Sequence, residues 1–140
     1  MKKALFYIIN FTWCIAQNIL GALLLIKYRK CERERFFNHI IVYHNSHWGG
    51  VSLGMFVFIN GKREEEWIKA VKVHETGHSL QSLILGPLYL FIIGIPSFVW
   101  CNAKRYKELR AKTGRSYYDF YCERWANKLG ERYTKMPAPK

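Results

Sequence analysis

The stretch Val73-His74-Glu75-Thr76-Gly77-His78-Ser79 constrains this chain more than any other, because it holds an H-E-x-x-H. On a helix, residues four apart lie one above the other, so His74 and His78 can present both imidazoles to a single metal ion. Glu75, next to the first imidazole, can address a water at that ion without displacing it. Zinc suits such a set, since it takes nitrogen and oxygen ligands in a tetrahedron and tolerates one open position. The helix that carries them is also legible. Trp67, Val71, His74, His78 and Leu85 recur along one helical face, which starts in acidic Glu64, Glu65 and Glu66 and runs into Gly86-Pro87. The histidines therefore fall on the stripe that the helix buries. Two neutral imidazoles there need partners, and one metal ion satisfies both.

A closed structural zinc site takes four protein ligands, usually with cysteines among them. Cys14, Cys31, Cys101 and Cys122 stand singly, with neither metal-site spacing nor a disulfide framework, which fits a reducing compartment. A hydrolytic site needs one more ligand from elsewhere, and residues 120–130 offer Glu123. In a helix, Ala126, Asn127 and Gly130 share its face, and small residues there let a second helix approach closely. Ser116 with Asp119 provides a capping-box start for that final helix, expected over residues 117–133. The tail at 136–140 reads as a frayed end.

H-E-x-x-H followed by E-x-x-A-[D/N] resembles the gluzincin metallopeptidases. The resemblance implies that Glu123 is the third zinc ligand. It also implies that Asn127, where many relatives carry Asp, orients His74 from behind. The wider block of residues 74–82, 86–90 and 93–97, with 123–130, is similar to a family of small bacterial membrane proteins. The HtpX-type membrane peptidases are a more distant likeness. Together these imply a zinc endopeptidase with one zinc ion, in which Glu75 is the general base for a metal-activated water. They imply no substrate beyond a peptide or protein.

Half of the chain is hydrophobic (50%), yet Lys and Arg outnumber Asp and Glu by 22 to 10. Greasy and basic residues occupy separate stretches. Residues 4–26 are apolar and long enough to cross a ~30 Å hydrocarbon layer as one helix. The run exceeds a signal-peptide core and has no small-x-small cleavage site after it, so an uncleaved transmembrane anchor is expected. Asn10, Cys14, Gln17, Asn18 and Gly21 form a polar or small stripe on it, expected to pack on the second apolar segment or on another copy. The basic flank at 27–35 outweighs Lys2 and Lys3, which places the C-terminal side in the cytoplasm.

Residues 83–100 form the second apolar segment, interrupted by Gly86, Pro87, Gly94 and Pro96. The histidines precede it and Glu123 follows it, so one shared ion requires both of its ends on one side. The basic return at 104–115 does not recross lipid cheaply. Re-entry into one leaflet is expected, bending near Gly94-Ile95-Pro96, with freed backbone groups buried against the polar stripe of the first segment. An ordinary second span would leave the site unassembled.

Between these segments, residues 38–43 and 51–59 are rich in Val, Ile, Phe and Tyr, with strong turn signals at 44–50. A β-hairpin is expected. The gluzincin resemblance suggests that one of its strands pairs with substrate backbone. His39, His44 and His47 are set aside as ligands, and Tyr117, Tyr118 and Tyr121 are assigned no role. The expected fold class is thus an α+β membrane protein. Residues 1–36 form a transmembrane anchor and basic flank, and 37–140 a zincin-like domain carrying the apolar segment 83–100. The expected function is a zinc peptidase anchored in the cell (inner) membrane with its site at the cytoplasmic face. Its partners would be a peptide or protein substrate and the lipid bilayer. Nucleic acid is excluded, because the charges flank apolar stretches and no nucleic-acid motif occurs among them. The alternative is a non-catalytic, partner-binding membrane subunit in which the metal is a structural clip or has been lost.

Overall fold

The structure, a computed structural model, describes residues 3–140; Met1 and Lys2, which open the first basic flank, lie outside the described residues. The chain folds as α1 (Lys3–Thr12), α2 (Ile15–Lys27), β1 (Glu32–Phe36), β2 (His39–His44), β3 (Gly50–Leu53) and β4 (Phe56–Asn60). It continues with α3 (Glu65–Leu85), α4 (Ile95–Asn102), α5 (Lys104–Thr113) and α6 (Tyr121–Thr134). The class is α+β, as expected.

The sheet runs β1-β2-β4-β3, with β2 and β4 parallel and the other neighbours antiparallel. The expected hairpin of 38–43 with 51–59 does not form. Gly54 takes a φ of 65° and folds the second run back on itself, so that Gly50 faces Ile59 and Leu53 faces Phe56. β2 then joins β4 from the side, Ile40 opposite Phe56 and His44 opposite Asn60. The turn signals at 44–50 mark a loop across the sheet end, held by Asn60 Nδ2 donating to the carbonyls of Ser46 (2.9 Å) and Trp48 (3.1 Å). Glu32–Phe36, expected as part of the basic flank, is an edge strand, and its exposed charges protect that edge from further pairing.

Side chains alternate across the sheet and give it two apolar faces. Ile41, Val57 and Ile59 pack on Val71 of α3. On the other side, Val42 and Phe58 pack under Leu24, Leu25 and Tyr28. α2 is thus a layer of the fold, and its core is shared between residues 1–36 and the sheet.

The stretch 4–26 is not one helix. Its α1 and α2 meet at 91°, where the amides of Trp13 and Cys14 both end on Ile9 O (2.9 and 3.0 Å). Among the described residues no single helix is long and apolar enough to cross a membrane. Two bent pairs meet that length and composition: α1 with α2, and Glu65–Leu88 with Leu90–Asn102, bent by 119°. The polar stripe explains the first arrangement, since all of its members are buried. Asn18 Nδ2 donates to Asn10 O (2.8 Å) while its Oδ1 accepts the Met55 amide (3.0 Å). Cys14 donates to Ser82 O (3.2 Å), and Gln17 to Gly86 O. Gly21 lies against Leu53 O and Phe56. The stripe therefore packs on the second apolar segment, and on the β3–β4 turn as well.

That second segment bends at Gly86–Tyr89, earlier than expected, because Gly86 takes a φ of 54° and ends α3. A 3₁₀ turn (Gly86–Leu88) and a π-helical turn (Leu90–Gly94) then lead into α4, which runs through Pro96. Pro96 has no N–H for Ile92 O, and the Tyr121 hydroxyl donates to that carbonyl instead, at 2.6 Å. The basic return carries α5, where Arg110 stacks on Trp100, 4.7 Å from the ring centroid. The Ser116–Asp119 capping box forms but closes only the turn Tyr117–Asp119. Phe120 is extended, so α6 starts at Tyr121.

Candidate metal centre

The centre lies where α3 and α6 touch backbone to backbone. Gly77 faces the carbonyl of Ala126, and Gly130 faces the carbonyl of Val73, with no room for a side chain at either glycine. That approach carries Glu123 into the groove between the histidines. Its Oε2 lies 3.1 Å from His74 Nε2 and 3.2 Å from His78 Nε2. One ligand atom from each residue falls within 4.8 Å of the others, so His74, His78 and Glu123 form a group able to hold a metal ion. All three are buried: His74 is 4%, His78 6% and Glu123 0% exposed.

The far side of each ring fixes which nitrogen is free. His74 Nδ1–H donates to Asn127 Oδ1 (2.6 Å), and the Asn127 amide is oriented by its own donation to Pro139 O (2.7 Å). His78 Nδ1–H donates to Gln81 Oε1 (2.7 Å), with the Gln81 amide held by Cys122 O (2.8 Å). With Nδ1 protonated on both rings, each Nε2 turns a lone pair towards the Glu123 carboxylate. Three acceptors then face one another and nothing between them donates. Glu123 Oε1, also buried, has no partner among the described residues. A cation relieves this, and a divalent ion with nitrogen and oxygen ligands fits the donor set. Rings protonated at Nε2 as well would donate to Glu123 instead; burial works to raise its carboxyl, but those hydrogen bonds and charges outweigh it and hold the group well below the usual carboxylate range.

Glu75 projects from the same helix on the side of β3, where Gly50 leaves it space. It is buried, and its Oε2 has no partner among the described residues. Burial lifts its pKa to about 7, opposed by His74 and assisted by the charge of Glu123. The Tyr118 ring stands edge-on to His74 at 5.2 Å. Burial, followed by the charges of Glu75 and Glu123, pushes its phenol to about 12, so the hydroxyl keeps its proton.

The remaining histidines are placed elsewhere. His39 is fully buried and donates through Nε2 to Ser79 Oγ (2.9 Å), which in turn donates to Gly54 O (2.7 Å). His44 braces its own loop through Gly49 O (3.1 Å), and His47 is exposed. Sequence reasoning misses Gln81, whose signal is an amide three residues after His78 on the same face. The C-terminal tail is not frayed as expected, for Ala138 is buried and Pro139 holds Asn127. Set against protein-family models, curated proteins and solved structures, the chain matches none of them. The residues alone carry the functional reading.

Proposed function

We propose that the protein is a membrane-held zinc peptidase of gluzincin type, acting on a peptide or protein substrate. One observation carries the reading. Three acceptors on two helices aim at one point, and a second acid, Glu75, is buried beside them with Oε2 unpartnered among the described residues. Three ligands, none of them cysteine, leave a coordination position for chemistry. Zinc, when bound, supplies Lewis acidity to a water and to the scissile carbonyl. The chain supplies the rest. Glu75 takes the proton of the attacking water and delivers it to the leaving amine. Asn127 and Gln81 keep both imidazoles in the ligating tautomer. β3 is the edge strand of the sheet on the Glu75 side, and its unpaired edge is the place for an extended substrate backbone. The basic stretches at 27–35 and 104–115 favour the cytoplasmic face of the cell membrane.

The burial of all three ligands favours a second reading, in which the metal is a structural clip in a partner-binding subunit. Glu75→Gln separates the two. A peptidase variant should keep about one zinc per chain, measured on protein purified in detergent, and lose cleavage of an unfolded protein substrate. Full cleavage by that variant would refute the role of Glu75. Wild-type protein that binds zinc, melts earlier on chelation and cleaves nothing would establish the clip.

A further inference from the structure

Both ends of the first apolar stretch are fastened to one strand. Near its start, the fully buried Phe6 meets the ring of His39, where β2 begins, at 5.0 Å. Just beyond its end, the Tyr28 ring lies 5.5 Å from His44, where β2 finishes, and the Tyr28 hydroxyl bonds Ser46 Oγ at 2.8 Å. From His39 to His44 a strand covers about 17 Å at ~3.4 Å per residue. The hydrocarbon layer is ~30 Å thick. Ends held that close together, one on each face of a single strand, do not lie on opposite sides of such a layer. The middle of the stretch is fixed as well. Cys14 bonds Ser82 O, and the Trp13 ring occupies the place a Gly86 side chain would take, so the two bends meet.

Away from the sheet, both segments turn apolar side chains outward: Leu20 and Leu23 on one, Leu88, Phe91 and Phe98 on the other, the last two each 69% exposed. Both segments also run out into basic sequence, at 27–35 and 104–115. An apolar face bordered by positive charge matches one leaflet of an anionic bilayer.

We infer that the two bent segments are seated together in a single leaflet of an anionic bilayer, with residue 4 and α5 on the same side as the metal centre. The first stretch then enters and leaves the leaflet, in place of the expected crossing. Neither metal nor hydrolysis enters this inference, so it stands or falls apart from the peptidase reading.

Two measurements on the full chain test it. With Cys31 and Cys101 changed to Ser, Ala4→Cys and Lys107→Cys are introduced singly and probed with a membrane-impermeant maleimide in sealed vesicles of each orientation. Both positions should react from the same face. Reaction from opposite faces, or reaction at position 4 only after detergent, would overturn the inference. Purified protein should also sediment with phosphatidylcholine vesicles containing phosphatidylglycerol, and lose roughly tenfold in binding without the anionic lipid. A soluble oligomer that ignores both vesicles would show that a second copy covers the apolar faces, and would equally overturn it.

Discussion

Gly77→Ala should damage the metal centre before it damages the fold. A methyl group built on Gly77 would lie 1.9 Å from Ala126 O and 2.5 Å from its carbonyl carbon. Carbon–oxygen contacts of this kind settle no closer than about 3.3 Å, so α6 must retreat by about 1.4 Å. Glu123 sits one turn before Ala126 on the same helix and moves with it. Metal–ligand distances tolerate only about 0.2 Å, several times less than that shift. Overpacking itself should cost about 1–3 kcal/mol. Zinc affinity should fall by at least about 100-fold, the upper end of what losing an outer hydrogen-bond partner costs, because here the proposed third ligand is itself displaced. Competition with a chromogenic chelator in detergent measures the affinity, and urea titration with and without zinc measures the stability. Gly94→Ala is the control, since its methyl would meet neighbours at an ordinary 3.8 Å. Wild-type zinc affinity in Gly77→Ala would refute the claim that this helix crossing sets the position of Glu123.

Asn127→Ala removes the acceptor from His74 Nδ1 and should weaken zinc binding by about 10–100-fold in the same competition assay. Deleting residues 137–140 frees the Asn127 amide, and should give a smaller loss in the same direction. Asn18→Leu leaves the Met55 amide buried without an acceptor and should cost about 1–3 kcal/mol in urea unfolding. His39 yields a pH dependence. Burial lowers its pKa to about 4 in the fold, opposed by a backbone hydrogen bond. The unfolded chain, at ~6.5, binds a proton between those values that the folded chain refuses. Its contribution is therefore complete above pH ~6.5, and falls by about 3 kcal/mol as pH drops to ~4. The stability difference between wild type and His39→Phe should change across that window; a constant difference would contradict it.

The convergence of His74, His78 and Glu123 was legible because its information is local. The spacing of His74 and His78 is one helical turn, and Ala126 and Gly130 announce a close helix contact wherever the partner lies. Strand order is non-local, and it was not legible. A glycine inside an apolar run reads the same whether it weakens one long strand or, like Gly54, reverses the chain between two short ones. The parallel pairing of β2 with β4 leaves no mark in either strand. Residues 4–26 misled for a different reason. Summed hydropathy ignores which face a residue occupies, and Asn10, Cys14, Gln17, Asn18 and Gly21 share a single buried face. Read as a stripe, they specify a helix lying on protein; read as a total, they pass for a span.

The two parts of the site are linked by more than the ion they can share. Gln81 holds His78 through its oxygen and, through its nitrogen, holds the carbonyl of Cys122, the residue before Glu123. Cys122 is itself buried against Tyr89 and Ile93, in the turn that succeeds the Gly86 bend. The fold of the apolar segment thus sets the start of α6, while Gly77 and Gly130 set its distance from α3. One fixes the ligand along its helix and the other across the groove. Neither contact involves the metal, so the frame around His74, His78 and Glu123 rests on protein contacts. A cation adds affinity to that frame, and small displacements within it are felt first in metal binding, where the tolerance is narrowest.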